Sequence, residues 1–191
     1  SISVVGISMT VAHTITQSNG TTVTIGSSGY TQSAGTFTGG DSTSHMDIND
    51  GSFTLSGGAF TEPGGNMNIE RSFTKSGTPT FTHNSGTVIF DDSNGADDTT
   101  IDCGDITFNK VTLSKDSYAT DLIISAGCIV PLGAGPTSSV TSDATFTNNG
   151  TITIASGTWT VQGQNANDQS ANMTNNGTIT HSGTGWLSTG G

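Results

Sequence analysis

Large apolar residues in this chain stand singly. Each is flanked by threonine, serine or alanine and bounded by glycine. The phrase recurs as Gly35-Thr36-Phe37-Thr38, Gly51-Ser52-Phe53-Thr54, Gly58-Ala59-Phe60-Thr61, Gly150-Thr151-Ile152-Thr153, Gly157-Thr158-Trp159-Thr160 and Gly177-Thr178-Ile179-Thr180. One apolar side chain between β-prone neighbours, closed by glycine on the flank, predicts a very short strand with one or two inward positions and a turn at each end. The anchors Phe53, Phe60, Met67, Phe73, Phe81 and Val88 follow one another about every seven residues, as do Ile152 and Trp159, and then Met173, Ile179 and Trp186. Seven residues hold one short strand and one corner. Three such units close a coil, which predicts an all-β, three-sided parallel β-solenoid (a β-helix) with about 21 residues per coil. Phe60 is then expected above Phe81, and Ile152 above Met173. A β-sandwich of short, glycine-bounded strands is the alternative. No stretch of a dozen residues carries the three-and-four apolar spacing of a helix without glycine or β-branched interruption.

The first sixteen residues break the short-strand rule. Val5, Ile7, Met9, Val11 and Ile15 alternate with small polar residues, His13 shares their register, and only Gly6 interrupts. The domain reading is therefore an extended N-terminal strand over 1–16, then a solenoid over 17–191 with an irregular acidic loop near 91–105. A strand too long for one solenoid face has two roles open to it. It caps the apolar end of its own rod, or it adds to the sheet of a neighbouring copy and links subunits head to tail.

Composition fits a solenoid, which needs only a thin inward file of apolar side chains. Hydrophobic residues make up 30% of the chain, charged residues 10%, and there are 27 glycines. The net charge is -11, with four Lys plus Arg against fifteen Asp plus Glu. That balance repels a phosphate backbone and argues against a nucleic-acid partner. No apolar run approaches the roughly 20 residues that span a bilayer as a helix. The chain opens at Ser1, which fits a mature protein after leader removal or an excised fragment.

Candidate chemistry is sparse. Cys103 and Cys128 are 25 residues apart, close to one coil, so a disulfide between adjacent turns is expected, with two buried free thiols as the alternative. Six acidic residues crowd into Asp91, Asp92, Asp97, Asp98, Asp102 and Asp105, around an Asn94-Gly95 turn. Carboxylates in such a loop suit calcium, and Asp91, Asp92, Asp97 and Asp98 are the candidate ligands. The EF-hand pattern and the glycine-rich nonapeptide are both missing, however, and a solvated acidic surface loop is the favoured reading, with no cofactor required. Arg71, Lys75, Lys110 and Lys115 are too few for a cleft that neutralises uronates. A glycosidase needs two facing carboxylates, and spacing alone neither places Asp47, Asp50, Glu62 and Glu70 that way nor excludes it; His13, His45, His83 and His181 are scattered with no nucleophile motif, and no enzyme is expected. Trp159, Trp186, Tyr30 and Tyr118 are candidates for stacking on sugar rings, Trp186 and Tyr118 foremost, because Trp159 falls in the inward register. Asn19, Asn149, Asn172 and Asn176 head glycosylation acceptor triplets. Thr-X-Thr phrases invite an ice-binding reading, but residues 83–144 lack them.

The run from Gly51 to Thr61, continued at Phe73-Thr74-Lys75-Ser76-Gly77 and from Phe81 to Val88, resembles the repeat arrays of large secreted prokaryotic surface proteins. So does Thr147-Asn148-Asn149-Gly150-Thr151-Ile152-Thr153, echoed from Thr174 to Thr180. These arrays are similar to haemagglutinin-like and autotransporter-passenger β-solenoids over about residues 35–90 and 145–187. The resemblance implies an extracellular or cell-surface structural role without catalytic residues. Residues 91–144 depart from the pattern and leave room for an inserted binding loop. The expected function is a non-enzymatic subunit of a fibre, sheath or surface layer, its partners being other copies of itself. An adhesive module that binds surface glycans is the competing class, and ice binding a remote one.

Overall fold

A computed structural model describes residues 1–92, 98–115, 121–132, 138–141, 145–154, 158–162, 172–181 and 186–190. The strands, in chain order, are β1 (Ile2–Met9), β2 (Thr14–Thr16), β3 (Thr22–Gln32), β4 (Thr36–Thr38), β5 (His45–Ile48), β6 (Phe53–Leu55), β7 (Ala59–Thr61) and β8 (Asn66–Ile69). They continue as β9 (Phe73–Lys75), β10 (Thr80–Thr82), β11 (Thr87–Asp92), β12 (Thr99–Asp102), β13 (Val111–Lys115), β14 (Leu122–Ile124), β15 (Ile129–Leu132) and β16 (Ser138–Thr141). The last are β17 (Thr145–Asn148), β18 (Thr151–Ile154), β19 (Thr158–Gln162), β20 (Asn172–Asn175), β21 (Thr178–His181) and β22 (Trp186–Gly190).

These strands stack in parallel into three faces, and the molecule is a parallel β-solenoid. The first face runs through the starts of β1 and β3, then β5, β8, β11, β13, β16, β19 and β22. The second runs through the ends of β1 and β3, then β6, β9, β12, β14, β17 and β20. The third stacks β2, β4, β7 and β10 as one four-stranded sheet. After a break it resumes with a bridge from Thr107 to Ile129, followed by β15, β18 and β21.

The coil is longer than the predicted 21 residues, at roughly 23. Along the first face the partners Val23, Met46, Met67, Val88 and Val111 keep the step regular. On the second face Phe53 pairs with Phe73, yet Phe73 pairs with Ile101, because the acidic segment lengthens that turn. The same effect later in the chain corrects one predicted stack. Ile152 lies against Ile179 rather than Met173, and Met173 lies against Phe146. More residues lie between successive strands there, and the pairing keeps Ile152 with Ile179 and Phe146 with Met173.

Strict alternation places the core. Phe53 and Leu55 point in and Thr54 out; Ile15, Phe37, Phe60 and Phe81 form the inward file of the third face. The rings stack like the rungs that carry them. Phe37 lies on Phe60 at 5.0 Å, Tyr30 on Phe53 at 4.9 Å and Phe53 on Phe73 at 5.0 Å. The spacing is that of adjacent strands, so each ring caps the one below.

Corners demand glycine where turns press together. Gly29 has φ +67, and a Cβ there would sit 2.3 Å from the carbonyl oxygen of Ser52. Corners that turn inward are plugged by buried side-chain amides. Gln17 donates to the carbonyls of Thr21 and His45, Gln32 to those of Gly35 and Ala59, and Asn148 to that of Thr178 and to Asn175 Oδ1. Each satisfies carbonyls that the strand ladder leaves over.

Candidate functional site

Residues 1–16 form a turn of the solenoid rather than one straight strand, which is why their alternation exceeds the length of a single face. β1 pairs with β3 from Ile2 opposite Val23 to Met9 opposite Gln32, and it bends where Gly6 meets Gly29, with a register shift between Val4 and Gly6. The chain leaves β1 at Met9, whose carbonyl accepts from the N–H groups of Ser33 and Ala34, and resumes as β2 against β4 on the third face.

The opposite edge of this first turn carries no strand of the described chain. It is also where exposed apolar surface collects. Ile2 is 63%, Val5 70%, Val11 53% and Val4 36% exposed, and Ile129 is the one other large hydrophobic residue so exposed among the described residues. A cavity of about 310 Å³, walled by Ile2, Val4, Ile7, Ile15, Val23 and Phe37, opens there into the core. Of the five residues read as an assembly strand, Ile7 and Ile15 line this mouth and Val5 and Val11 stand outside it. Met9 is buried, with the Tyr30 hydroxyl 3.4 Å from its sulfur.

Cys103 and Cys128 form the expected disulfide, with Cα atoms 5.1 Å apart, tying the turn after β12 to the turn after β14. Reduction is expected to lower stability by about 2–4 kcal/mol. The strand ladders on either side stay intact, so the far-ultraviolet circular dichroism should keep its β signature at room temperature. Thermal melts with and without reductant measure the shift, and an unchanged melting temperature with both thiols free would contradict it.

The 91–105 segment is not a single surface loop. Asp91 and Asp92 end β11 opposite Ser114 and Lys115, and Asp102 lies in β12 opposite Thr74, with Ile101 and Cys103 fully buried between them. The apolar anchors Val88, Phe90 and Ile101 hold these strands in the stack despite the charge around them. Asp98 accepts the Asp121 N–H at 2.9 Å. Lys75 Nζ pairs with Asp105 at 2.7 Å, and that ion pair holds the Asp105 carboxyl below the usual range. Asp97 falls outside the described residues. Among the described residues no three His, Cys, Asp or Glu side chains converge on a metal position.

Tyr30 is withdrawn from the sugar-stacking candidates: it is fully buried, and its hydroxyl donates to Gln32 Oε1 at 2.6 Å. Burial pushes that hydroxyl's pKa well above the ordinary tyrosine value. Trp159 lies in β19 opposite Leu187, and Trp186 in β22 opposite Thr158. Tyr118 lies outside the described residues. Three of the four carboxylates weighed for catalysis serve neighbouring turns: Asn68 donates to Asp47, the Asp50 N–H to Glu70, and Arg71 to Asp50. Of the asparagines heading acceptor triplets, Asn176 donates to Asn149 at 3.0 Å and Asn19 accepts from the Asp41 N–H.

Two features escaped the sequence reading. Glu62 is buried in the corner after β7, with neither carboxylate oxygen in hydrogen-bonding geometry with any group. Its removal from water pushes its pKa up to about 7, and the backbone N–H groups of Asn84 and Gly86, approaching from the next turn, offset only part of that rise. Alternation carried on past the strand would have found it, since Phe60 points in, Thr61 out and Glu62 in, just as Ile15, Thr16 and Gln17 do. The second feature is the break in the third face between β10 and Asp105–Thr107. It contains an open groove of about 430 Å³ lined by Thr80, Phe81, Thr82, His83, Asp105 and Thr107 among others. No protein-family model, curated protein or solved structure matches this chain.

Proposed function

We propose that the chain is a non-enzymatic structural subunit that assembles head to tail into an extracellular fibre, sheath or surface layer. The observation that carries this reading is the first turn. It combines an unpaired parallel strand edge, exposed Ile2, Val4 and Val5, and a cavity that opens the core to its end. An edge of that kind is a template for further pairing, and a second copy offers strands of the right step and parity. The buried disulfide is at home in an oxidising compartment, and the likeness to haemagglutinin-like and autotransporter-passenger arrays supports a surface location.

The test is electron microscopy of negatively stained protein. The unaltered chain should form long filaments. The double variant Ile2→Lys, Val5→Lys should give short rods with little change in melting temperature, because both side chains are mostly exposed at the open end and lysines on a strand edge oppose an incoming strand. Monodisperse rods from the unaltered chain, or filaments from the lysine variant, would reject the assembly reading.

The threonines of the third face support ice binding less well. Thr14, Thr36, Ala59 and Thr80 form one outward column and Thr16, Thr38, Thr61 and Thr82 another. Ile129 and Pro131 then interrupt the columns before Thr151, Thr153, Thr178 and Thr180 resume them. A surface that orders water over its whole length needs the columns unbroken, and β propensity accounts for the threonines.

A further inference from the structure

The corner around Glu62 is built to hold a carboxyl group away from water. The coils on either side make space for it with glycine. A Cβ on Gly39 would lie 2.5 Å from the Glu62 carbonyl oxygen, and one on Gly86 would lie 3.2 Å from its Oε1. Glu62 itself is 1% exposed, and neither carboxylate oxygen has a hydrogen-bond partner. A carboxyl group so placed is stable only with its proton.

Asn84 closes this corner. Its backbone N–H approaches the Glu62 carboxyl from the next coil, while its side-chain Nδ2 donates to the carbonyl of Gly40 at 2.9 Å. Gly40 is 44 residues away, so this bond passes over the coil of Glu62 altogether. The corner amides of Gln17 and Gln32 reach only one coil on, to the carbonyls of His45 and Ala59 at separations of 28 and 27 residues. Strand ladders likewise join each coil to the next, and the Gly40 carbonyl has such a bond of its own, from the Gly64 N–H at 2.9 Å.

Asn84 therefore stands between two acceptors. The Gly40 oxygen keeps the Gly64 N–H whichever way Asn84 turns, so its release leaves no buried group unpaired. An ionised Glu62 is the better acceptor, because a hydrogen bond to a carboxylate is about twice as strong as one to a neutral carbonyl.

We propose that Asn84 is a proton-dependent clasp on the flank of the rod. While Glu62 keeps its proton, the Asn84 side chain ties its own corner to that of Gly40 across the coil between them. When Glu62 ionises, Asn84 turns to the carboxylate and the long tie is lost, leaving this corner held from coil to coil only. Burial keeps the proton in place up to about pH 7, so the release falls near neutrality. The other ionisable groups on the adjoining corners are Asp41, His45, His83 and Lys110. Asp41 accepts from Thr43 and Ser44, His45 Nδ1 accepts the Asn66 N–H, and none of the four hydrogen-bonds to Glu62.

The test is an NMR titration of the full chain from about pH 5 to about pH 8, a window that spans the Glu62 transition. Three signals are followed: the Glu62 carboxyl carbon, the Asn84 side-chain amide and the Gly40 carbonyl carbon. All three should shift with one shared midpoint. In Glu62→Gln the Asn84 and Gly40 signals should stay at their acid positions throughout, and in His83→Gln the shared midpoint should not move. The clasp is refuted if Glu62 titrates while the Asn84 and Gly40 signals stand still. It is refuted equally if those signals still shift in Glu62→Gln, or if His83→Gln abolishes their shift, since the trigger would then be another group.

Discussion

Phe60→Ala is expected to cost about 3–5 kcal/mol in urea unfolding, the largest loss from any single substitution in the third face. Phe60 is fully buried and touches four other rings. It lies flat between Phe37 at 5.0 Å and Phe81 at 5.8 Å, and it meets Tyr30 and Phe53 edge-on at 5.4 and 4.9 Å. Removing it opens a cavity that the neighbouring rungs close only in part, because β4 is paired on both sides and β10 is held to β7. Phe81→Ala is the matched control. That ring is half-buried beside the groove, so its loss should cost clearly less. Equal costs at the two positions would show that the ring stack does not concentrate stability where the structure puts it.

The second large effect is a fall in stability between about pH 4.5 and pH 7. Glu62 keeps its proton in the folded chain until about pH 7, whereas in the unfolded chain it loses it near 4.5. Across that window the folded state binds more protons, so stability declines as the pH rises. The contribution is present in full below about 4.5 and lost by the time the pH passes through 7. The displacement corresponds to about 3 kcal/mol. Asp41 and Asp105 act in the opposite sense at lower pH. Hydrogen bonds from Thr43 hold the first below its usual range and the Lys75 partner holds the second, so their contributions fade under acid. Stability should therefore peak between these two regimes. Glu62→Gln keeps the shape of the side chain and removes its ionisation. Urea unfolding of this variant should be nearly flat from pH 5 to pH 8 and should exceed the unaltered protein at pH 8. A variant with the undiminished slope would place the pH dependence elsewhere.

The fold was legible because a solenoid repeats one rule. Apolar anchors about seven residues apart announce a strand and a corner, and three faces follow from how often the anchors return to the same side. Phe60 above Phe81 needed nothing more. The coil length was harder to read, because extra corner residues change the step without changing inward parity, and so Ile152 found Ile179. Residues 1–16 misled for a related reason. Alternation from Val5 to Ile15 runs straight through a bend that only Gly6 marks, and glycine in a chain with 27 of them is a faint signal. Six carboxylates give the acidic stretch the composition of a solvated loop, while the buried Phe90 and Ile101 keep its strands in the stack.

The candidate sites were less legible still. The disulfide followed from a separation close to one coil. The groove depends on a pairing that fails to form, and no residue type records an absent hydrogen bond. Tyr30 looked like a surface aromatic until its parity with Phe53 placed it inside.

Because every strand pairs with the one about a single coil before it, a growing chain needs only its most recent turn as a template. Each stretch of roughly 23 residues therefore finds its docking edge in the turn just before it and needs no distant sequence. The rod is a chain of nearest-neighbour dependencies, and the tie between Cys103 and Cys128 makes one of them covalent.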